Sequence, residues 1–388
     1  MNIVHRSSAQ DDVATIIQIE SIDDVAKHWK DLELNSENKN FFLSWEWIGS
    51  WLELVLPVTK VYFFSYKNKS EMLGACFLTI CSVTRKKGMV RLKQLQMNEY
   101  LYGHYNMVNG YSGILVKRGN EQAAWNHLFS LAQSFNKTWD EFFISSIDEE
   151  QRKYCEIANG NQLACTLDKI CYVWKKTLPG DVSNLDGFVE TFKRKSRQQL
   201  RQTIKAFSDI GPIALETAES LEQAEYFFQL MDETHTRRWQ AVGKMGSYAN
   251  TIWAEFHRKL IKRYFADGLI QLLKISVGDQ PVGYLYGHVY RNKVYMHQTG
   301  FPQLDDNKLR SGYLSHLYAM LFNANQGLVE YDFLPDFANS YKKFFIDAGE
   351  EIVWLALRRN RMVYRWEMLI EKLKQLKQKR NIEVNNGN

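Results

Sequence analysis

The sequence predicts a mixed α/β (α+β, mixed-sheet) protein built from two domains. Three observations carry that expectation. The 388 residues exceed one domain of ordinary size and suit two. Runs rich in β-branched and aromatic residues are interspersed with runs of helical periodicity. Each half also repeats one coarse plan: strands, then a helix (120–135 or 312–326), then a strand (139–147 or 328–334). The repeat is one of pattern, not of residue identity.

Taken in order, residues 11–35 read as a strand and an amphipathic helix. "FFLSWEWIGSWLELVL" (41–56) sets Trp47, Trp51 and Leu54 at helical spacing. Segments 60–68 and 72–85 read as a hairpin turning near Asn68–Ser70. A Gly- and Tyr-rich loop region follows (100–116), then the helix 120–135 and strands at 139–147 and 169–178. "LPGDVSNLDG" (178–187) collects turn residues and marks a domain boundary. Beyond it lie helices over 188–207, 220–240 and 249–267. An antiparallel meander follows, 269–277, 280–290 and 293–301, turning at "GDQP" and "RNK". A helix over 312–326 ending at Gly327, a strand over 328–334, a helix near 337–347 and a strand over 350–358 complete the body. The expected domains are therefore 1–180 and 186–358, with a basic amphipathic tail over 359–388. In that tail Met362, Val363, Trp366, Leu369, Ile370, Leu373 and Leu376 share a face. Packing on the body is its first expectation, and peripheral contact with an acidic membrane its second.

Composition narrows the function classes. The net charge of +5 admits an anionic ligand but does not announce DNA binding. Five cysteines without a CxxC, and nine histidines without HExxH, indicate neither a disulfide framework nor a metal site. The N-terminal stretch has no apolar signal-peptide core, and no apolar run approaches the roughly 20 residues that span a bilayer. The expectation is a cytoplasmic protein.

The chemistry concentrates in 280–358. Gly283 inside a strand marks a bulge or a close backbone approach. Arg310, Ser311 and Gly312 open the 312–326 helix, where free amides and the helix dipole make an anion site suited to a pyrophosphate. In "YDFLPDFANSYKKFF" (331–345) Asp332 alternates with Tyr331 and Phe333, so it points to the opposite face. Asp332 reads either as a carboxylate that assists an acceptor or as an ion-pair partner. Asp336 reads as a helix N-cap.

At these residues the chain resembles the Gcn5-related N-acetyltransferase (GNAT) superfamily. "LRSGYLSHLYAML" resembles its acetyl-CoA pyrophosphate loop, with Leu314 where the pattern closes on Gly or Ala. "ANSYKKFFIDAGEE" resembles the downstream motif whose Tyr protonates the departing CoA thiolate. That residue is Tyr341 here, and its other reading is a core Tyr beside Phe344 and Phe345. In order, "SWEW", "FKRKSRQQLRQ" and "SGYLSHLYAMLFNANQGLVEYDFLPDFANSYKKFF" resemble the two-domain, cellulose-biosynthesis-type (CelD/BcsL) acetyltransferases. Those are relatives of the Fem aminoacyltransferases. Asp336 stands where that branch carries a Gly.

The resemblance implies two tandem GNAT-like domains with a cleft between them and no metal. The reaction it implies is acyl transfer from acetyl-CoA to an amine or hydroxyl of a sugar or cell-envelope precursor. Asp332 and Tyr341 would be catalytic. Arg310, Ser311, Gly312 and Gln298 would bind the donor, and either His297 or Gln298 would face the thioester. Lys342 would pair with Asp332 or a phosphate. Arg197 and Arg201, with Lys205, lie four apart on one helical face and suit a phosphorylated acceptor or, as in the Fem relatives, a tRNA. A solvated basic face is the alternative. His104 and Tyr105 in "YGHYN" and Arg238 in "THTRRWQ" complete the acceptor candidates. An aminoacyl-tRNA-dependent transferase and a non-catalytic GNAT-like scaffold are the rival readings.

Overall fold

The protein is described by a computed structural model covering residues 2–370 apart from 10–11, 37–39, 87, 103–104, 107–109, 136–138, 183, 247–249, 305, 307 and 347–348. The chain divides into two units, Met1–Ile170 with Val353–Asn388, and Cys171–Ile352.

In the first unit β1 (Asn2–Ala9) and β2 (Asp12–Ile19) pair antiparallel. Helix α1 (Asp23–Asn35) buries Val25, Trp29 and Leu32, which recur at three and four residues. Helix α2 (Trp45–Val55) is the aromatic one. The hydroxyl of Ser44 caps it by accepting from the Trp47 amide, and Trp47, Trp51 and Val55 are buried. Strands β3 (Val61–Asn68), β4 (Glu71–Arg85) and β5 (Val90–Met97) extend the sheet antiparallel. A two-residue ladder, β6 (Leu101–Tyr102) with β7 (Tyr105–Asn106), precedes β8 (Leu115–Val116), which pairs with β4. The chain then crosses over through α3 (Glu121–Ser134) to β9 (Glu141–Asp148), parallel to β5. Helix α4 (Glu149–Asn159) and β10 (Ala164–Val173) lead out of the unit.

The second unit begins with β11 (Lys175–Thr177), α5 (Leu185–Glu190), α6 (Arg194–Ser208) and β12 (Ile213–Thr217). Helices α7 (Leu221–Ala241) and α8 (Thr251–Tyr264) precede the meander β13 (Ile270–Val277), β14 (Gln280–Tyr290) and β15 (Lys293–Gly300). The β14–β15 turn is Arg291–Asn292, both at positive φ (51° and 59°), as a two-residue hairpin loop of the primed type requires. Helix α9 (Ser311–Asn325) then crosses over to β16 (Glu330–Asp332), parallel to β15. Gly327 closes α9 at φ +78°: its amide bonds Ala324 O and that of Leu328 bonds Asn323 O, a Schellman termination. The sheet runs β11-β16-β15-β14-β13-β12. Each unit thus carries an antiparallel meander followed by a helix that crosses to a parallel neighbour, β5–α3–β9 and β15–α9–β16. This is the repeat of pattern that the sequence predicts.

The departures have local causes. The strand over 350–358, β17 (Glu350–Arg358), lies between β9 and β10 in the first unit's sheet, not at the end of the second domain. Ile352 to Leu357 are buried without alternation, as in a strand covered on both faces, and Val353, Leu355 and Leu357 enter the first unit's core. The expected helix over 188–207 is two helices, because Lys193 takes an extended ψ of 151°. That break lets Phe188 and Phe192 both turn inward. The expected helix near 337–347 is only a 3-10 turn, Tyr341–Phe344. Strands β1, β5 and β12 and helix α4 had no clear counterpart in the sequence pattern. The tail is helical over 362–370; Val363 and Ile370 pack on Val90 and Leu92, while Leu373 and Leu376 lie outside the described residues. Among the described residues no helix is long and apolar enough to cross a membrane.

Candidate functional site

Strands β15 and β16 pair only from Lys293↔Glu330 to Tyr295↔Asp332 and then separate. The opening is built by the residues just past the last pair. Leu334 sits at φ +60°, an unusual conformation for a branched residue, and Pro335 follows it. Asp332 holds this turn: its Oδ1 accepts the Leu334 amide at 2.7 Å. Lys342 holds it from the other side. Its ammonium donates to Phe333 O (2.7 Å) and Leu334 O (3.4 Å), carbonyls that no longer meet a strand partner on β15, and pairs with Asp336 at 3.2 Å.

A cavity of about 490 Å³ occupies the opening, drawn from the second unit alone. Met296, His297, Gln298 and Thr299 of β15 line one wall. Alternation would present only every second one. The register slips between Tyr286↔Gln298 and Gly287↔Met296, so His297 is an extra, bulged residue. Both His297 and Gln298 therefore reach the cavity. The opposite wall is Phe333, Asp336, Tyr341 and Lys342, and α7 contributes His235, Arg238 and Trp239.

On the floor lies His316 of α9, 1% exposed. Its Nδ1 is 2.8 Å from the Tyr331 hydroxyl and its Nε2 is 2.9 Å from the Tyr341 hydroxyl. Burial, with Lys342 adding to it, pulls the imidazole down to about 3. The ring is therefore neutral, with one N–H and one lone pair, and the Tyr331–His316–Tyr341 chain must run in one direction at a time. The ring of Tyr341 is 39% exposed, but its hydroxyl points inward to His316. Burial and then Asp336 hold that phenol above its ordinary range. Burial also pushes the Asp336 carboxyl up, but Lys342, the Ser340 hydroxyl and the Phe337 amide outweigh it and leave it below the usual range. Lys342 is lowered by burial, against the attraction of Asp336. His235 falls to about 4 through burial and Arg238; Trp239 Nε1 donates to its Nε2 at 2.8 Å.

The structure gathers Tyr341, Lys342, Gln298 and Arg238 around one cavity, as the sequence suggested, and adds His316, which the sequence reading missed. It reassigns others. Asp332 is 1% exposed and does not line the cavity; parity turns it away from Phe333 and His316, and its carboxylate is engaged with the Leu334 amide. Asp336 caps no helix; it bridges to Tyr172 and accepts from the Phe337 amide and Ser340 Oγ. Arg197 and Arg201 both ion-pair with Glu190, so the α6 face is partly neutralised, and neither borders the cavity. Arg310, Ser311 and Gly312 begin α9 beside Phe301, which lines the cavity. A Cβ on Gly312 would sit 3.2 Å from the Phe301 ring, so packing on that ring accounts for the glycine. The Arg310 guanidinium lies over the Tyr313 ring, 5.5 Å from its centroid. His104 and the side chain of Tyr105 lie outside the described residues.

Residues 194–343 match the family model described as "Acetyltransferase (GNAT) domain". A conserved protein of unknown function from Bacteroides thetaiotaomicron VPI-5482 aligns with TM-score 0.55 at 13% identity, covering 88% of this chain and 100% of that one. The crystal structure of FemX aligns with TM-score 0.55 at 11% identity, covering 90% and 99%. L-PGS from Bacillus licheniformis aligns with TM-score 0.50 at 10% identity, covering 89% and 96%. At such identities the likeness is one of fold. No curated protein matches the chain. The fold is thus mixed α/β in two units, and the GNAT domain model matches within the second.

Proposed function

We propose that the second unit transfers an acyl group, acetyl in the simplest case, from acyl-CoA to an amine or hydroxyl of a sugar or cell-envelope precursor. The observation that carries this reading is the Tyr341 hydroxyl hydrogen-bonded to buried His316 where β15 and β16 part. A thioester carbonyl between the parted strands would lie against the β15 backbone, whose amides on the opened side can polarise it. The acceptor's nitrogen or oxygen forms the new bond to the acyl carbon as the carbon–sulfur bond breaks. The thiolate takes one proton and the acceptor releases one, so a relay that gives and regains a proton ends as it began. Tyr341 gives its proton to the thiolate and regains the one that the acceptor releases, while His316 with Tyr331 holds its hydroxyl in place. The amides at the start of α9, with Arg310, are the candidates for the donor's phosphates. Arg238 and the half-exposed Trp239 suit an anionic, ring-bearing acceptor. Asp332 and Lys342 are positioning residues that keep the strands apart.

The test is thermal unfolding with acetyl-CoA, together with thiol release in the presence of amino-sugar or hydroxyl acceptors. Stabilisation by acetyl-CoA of about 2.7 kcal/mol at a hundredfold excess over Kd is expected. Tyr341→Phe should bind acetyl-CoA as the wild type does and lower kcat by about 100-fold or more, with KM little changed. No stabilisation at millimolar acetyl-CoA would overturn the reading. Stabilisation by aminoacyl-tRNA instead would favour the Fem-like alternative, with Arg194 and Lys205 of the α6 groove as its contact.

A further inference from the structure

We propose that His257, His288 and His297 bind one divalent transition-metal ion of the zinc class. They come from three elements, α8, β14 and β15. Each offers a ring nitrogen, and these atoms lie within 4.8 Å of one another. The ring centroids are 4.4 Å apart for His257 and His297, 5.1 Å for His288 and His297, and 6.2 Å for His257 and His288. Three imidazoles in one pocket are a borderline-soft donor set that suits zinc, copper or nickel and not calcium or magnesium. Bonds of about 2.0–2.1 Å in a tetrahedral site set the nitrogens roughly 3.3 Å apart, so modest ring rotations complete the set.

Two features support ligation over a merely packed histidine cluster. The Tyr286 hydroxyl lies 3.1 Å from His257 Nδ1, and in the tautomer whose Nδ1–H donates to that oxygen Nε2 is left for the ion. The β-bulge inserts His297 into the strand, and this residue also lines the cavity. An ion held here would have three protein ligands, of which His297 also lines the cavity, and a fourth position left to fill. Three neutral imidazoles leave the dication's charge uncompensated in a buried place. Its remaining ligand is therefore expected to be anionic, hydroxide or an anionic group of a substrate. The site stands independently of the acyl-transfer reading.

The experiment uses the full chain, stripped with chelator, and titrates Zn²⁺ against a chromophoric competitor and Co²⁺ by visible absorption. One Zn²⁺ per chain and the strong d–d bands of four-coordinate cobalt are expected. Loss of even an outer-shell partner costs about 10–100-fold in affinity, so His288→Asn and His257→Asn should each lose at least about 100-fold. His28→Asn, on the exposed face of α1, should change nothing. Should the buried variants fail to fold, X-ray absorption of the zinc-loaded wild type decides: nitrogen scatterers with imidazole multiple scattering support the site. Sulfur ligands, no stoichiometric binding, or undiminished binding by the folded variants overturns it. None of these readouts depends on acyl transfer, so either idea can fail without the other.

Discussion

Glu99 is 2% exposed, and burial pushes its carboxyl up to about 8 although the Ser145 hydroxyl donates to it at 3.0 Å. The folded protein therefore holds a proton that the unfolded chain releases near 4.5. Its stabilising effect is complete below the unfolded value and is lost as pH rises toward 8, at up to about 1.4 kcal/mol per unit. Glu99→Gln should thus raise Tm at pH 8.5 while changing it little at pH 4.5, read by thermal unfolding across that range. An unchanged slope would refute the assignment. At this scale the family resemblance, not the bare residue pattern, singled out Tyr341, and the structure sets it with Lys342 on the cavity wall. Strand parity gave the facing of Asp332, but not the side on which the cavity lies. His316 was hidden inside "YLSHLYAM", an apolar helix segment, with its two phenols 15 and 25 residues away in sequence.

Gly283 shows how elements press on each other. A Cβ there would lie 2.1 Å from Ser315 Oγ and 2.9 Å from Ser315 Cβ, so α9 rests directly on β14. Gly283→Ala should destabilise the protein by about 1–3 kcal/mol in urea unfolding. Adding Ser315→Ala should recover part of that loss, since the nearer atom is gone; strictly additive losses would sink the explanation. The glycine's meaning was legible as a close approach. The meander turns were legible too, from Gly278 and from Arg291–Asn292. The α5–α6 break was not, because "FKRKSRQQ" contains good helix formers and only burial of both phenylalanines interrupts them. Nor was the bulge at His297, which no local residue preference announces.

Over the whole molecule, the sequence carried the mixed α/β class and the repeated strand–helix–strand plan. Sheet membership escaped it, because "EEIVWLALR" reads equally well as the last strand of either unit. The structure makes a definite demand on that strand. A chain ended after Ile352 keeps the second unit but loses β17 from between β9 and β10. It should retain slow amide exchange in β13, β14 and β15 while β9 and β10 exchange fast. Protection surviving in β9 would show that the first unit does not need its returning strand.

That returning strand also sets a timetable for biosynthesis. The second unit, Cys171–Ile352, is complete in the nascent chain before β17 has been made. The first unit starts earlier yet finishes its sheet last. Domains usually mature on the ribosome from the N-terminus onward; here the inserted unit can finish first. Until β17 emerges, β9 and β10 wait with an unfilled gap between them, a parting of strand edges that a chaperone or a neighbouring nascent chain is free to meet.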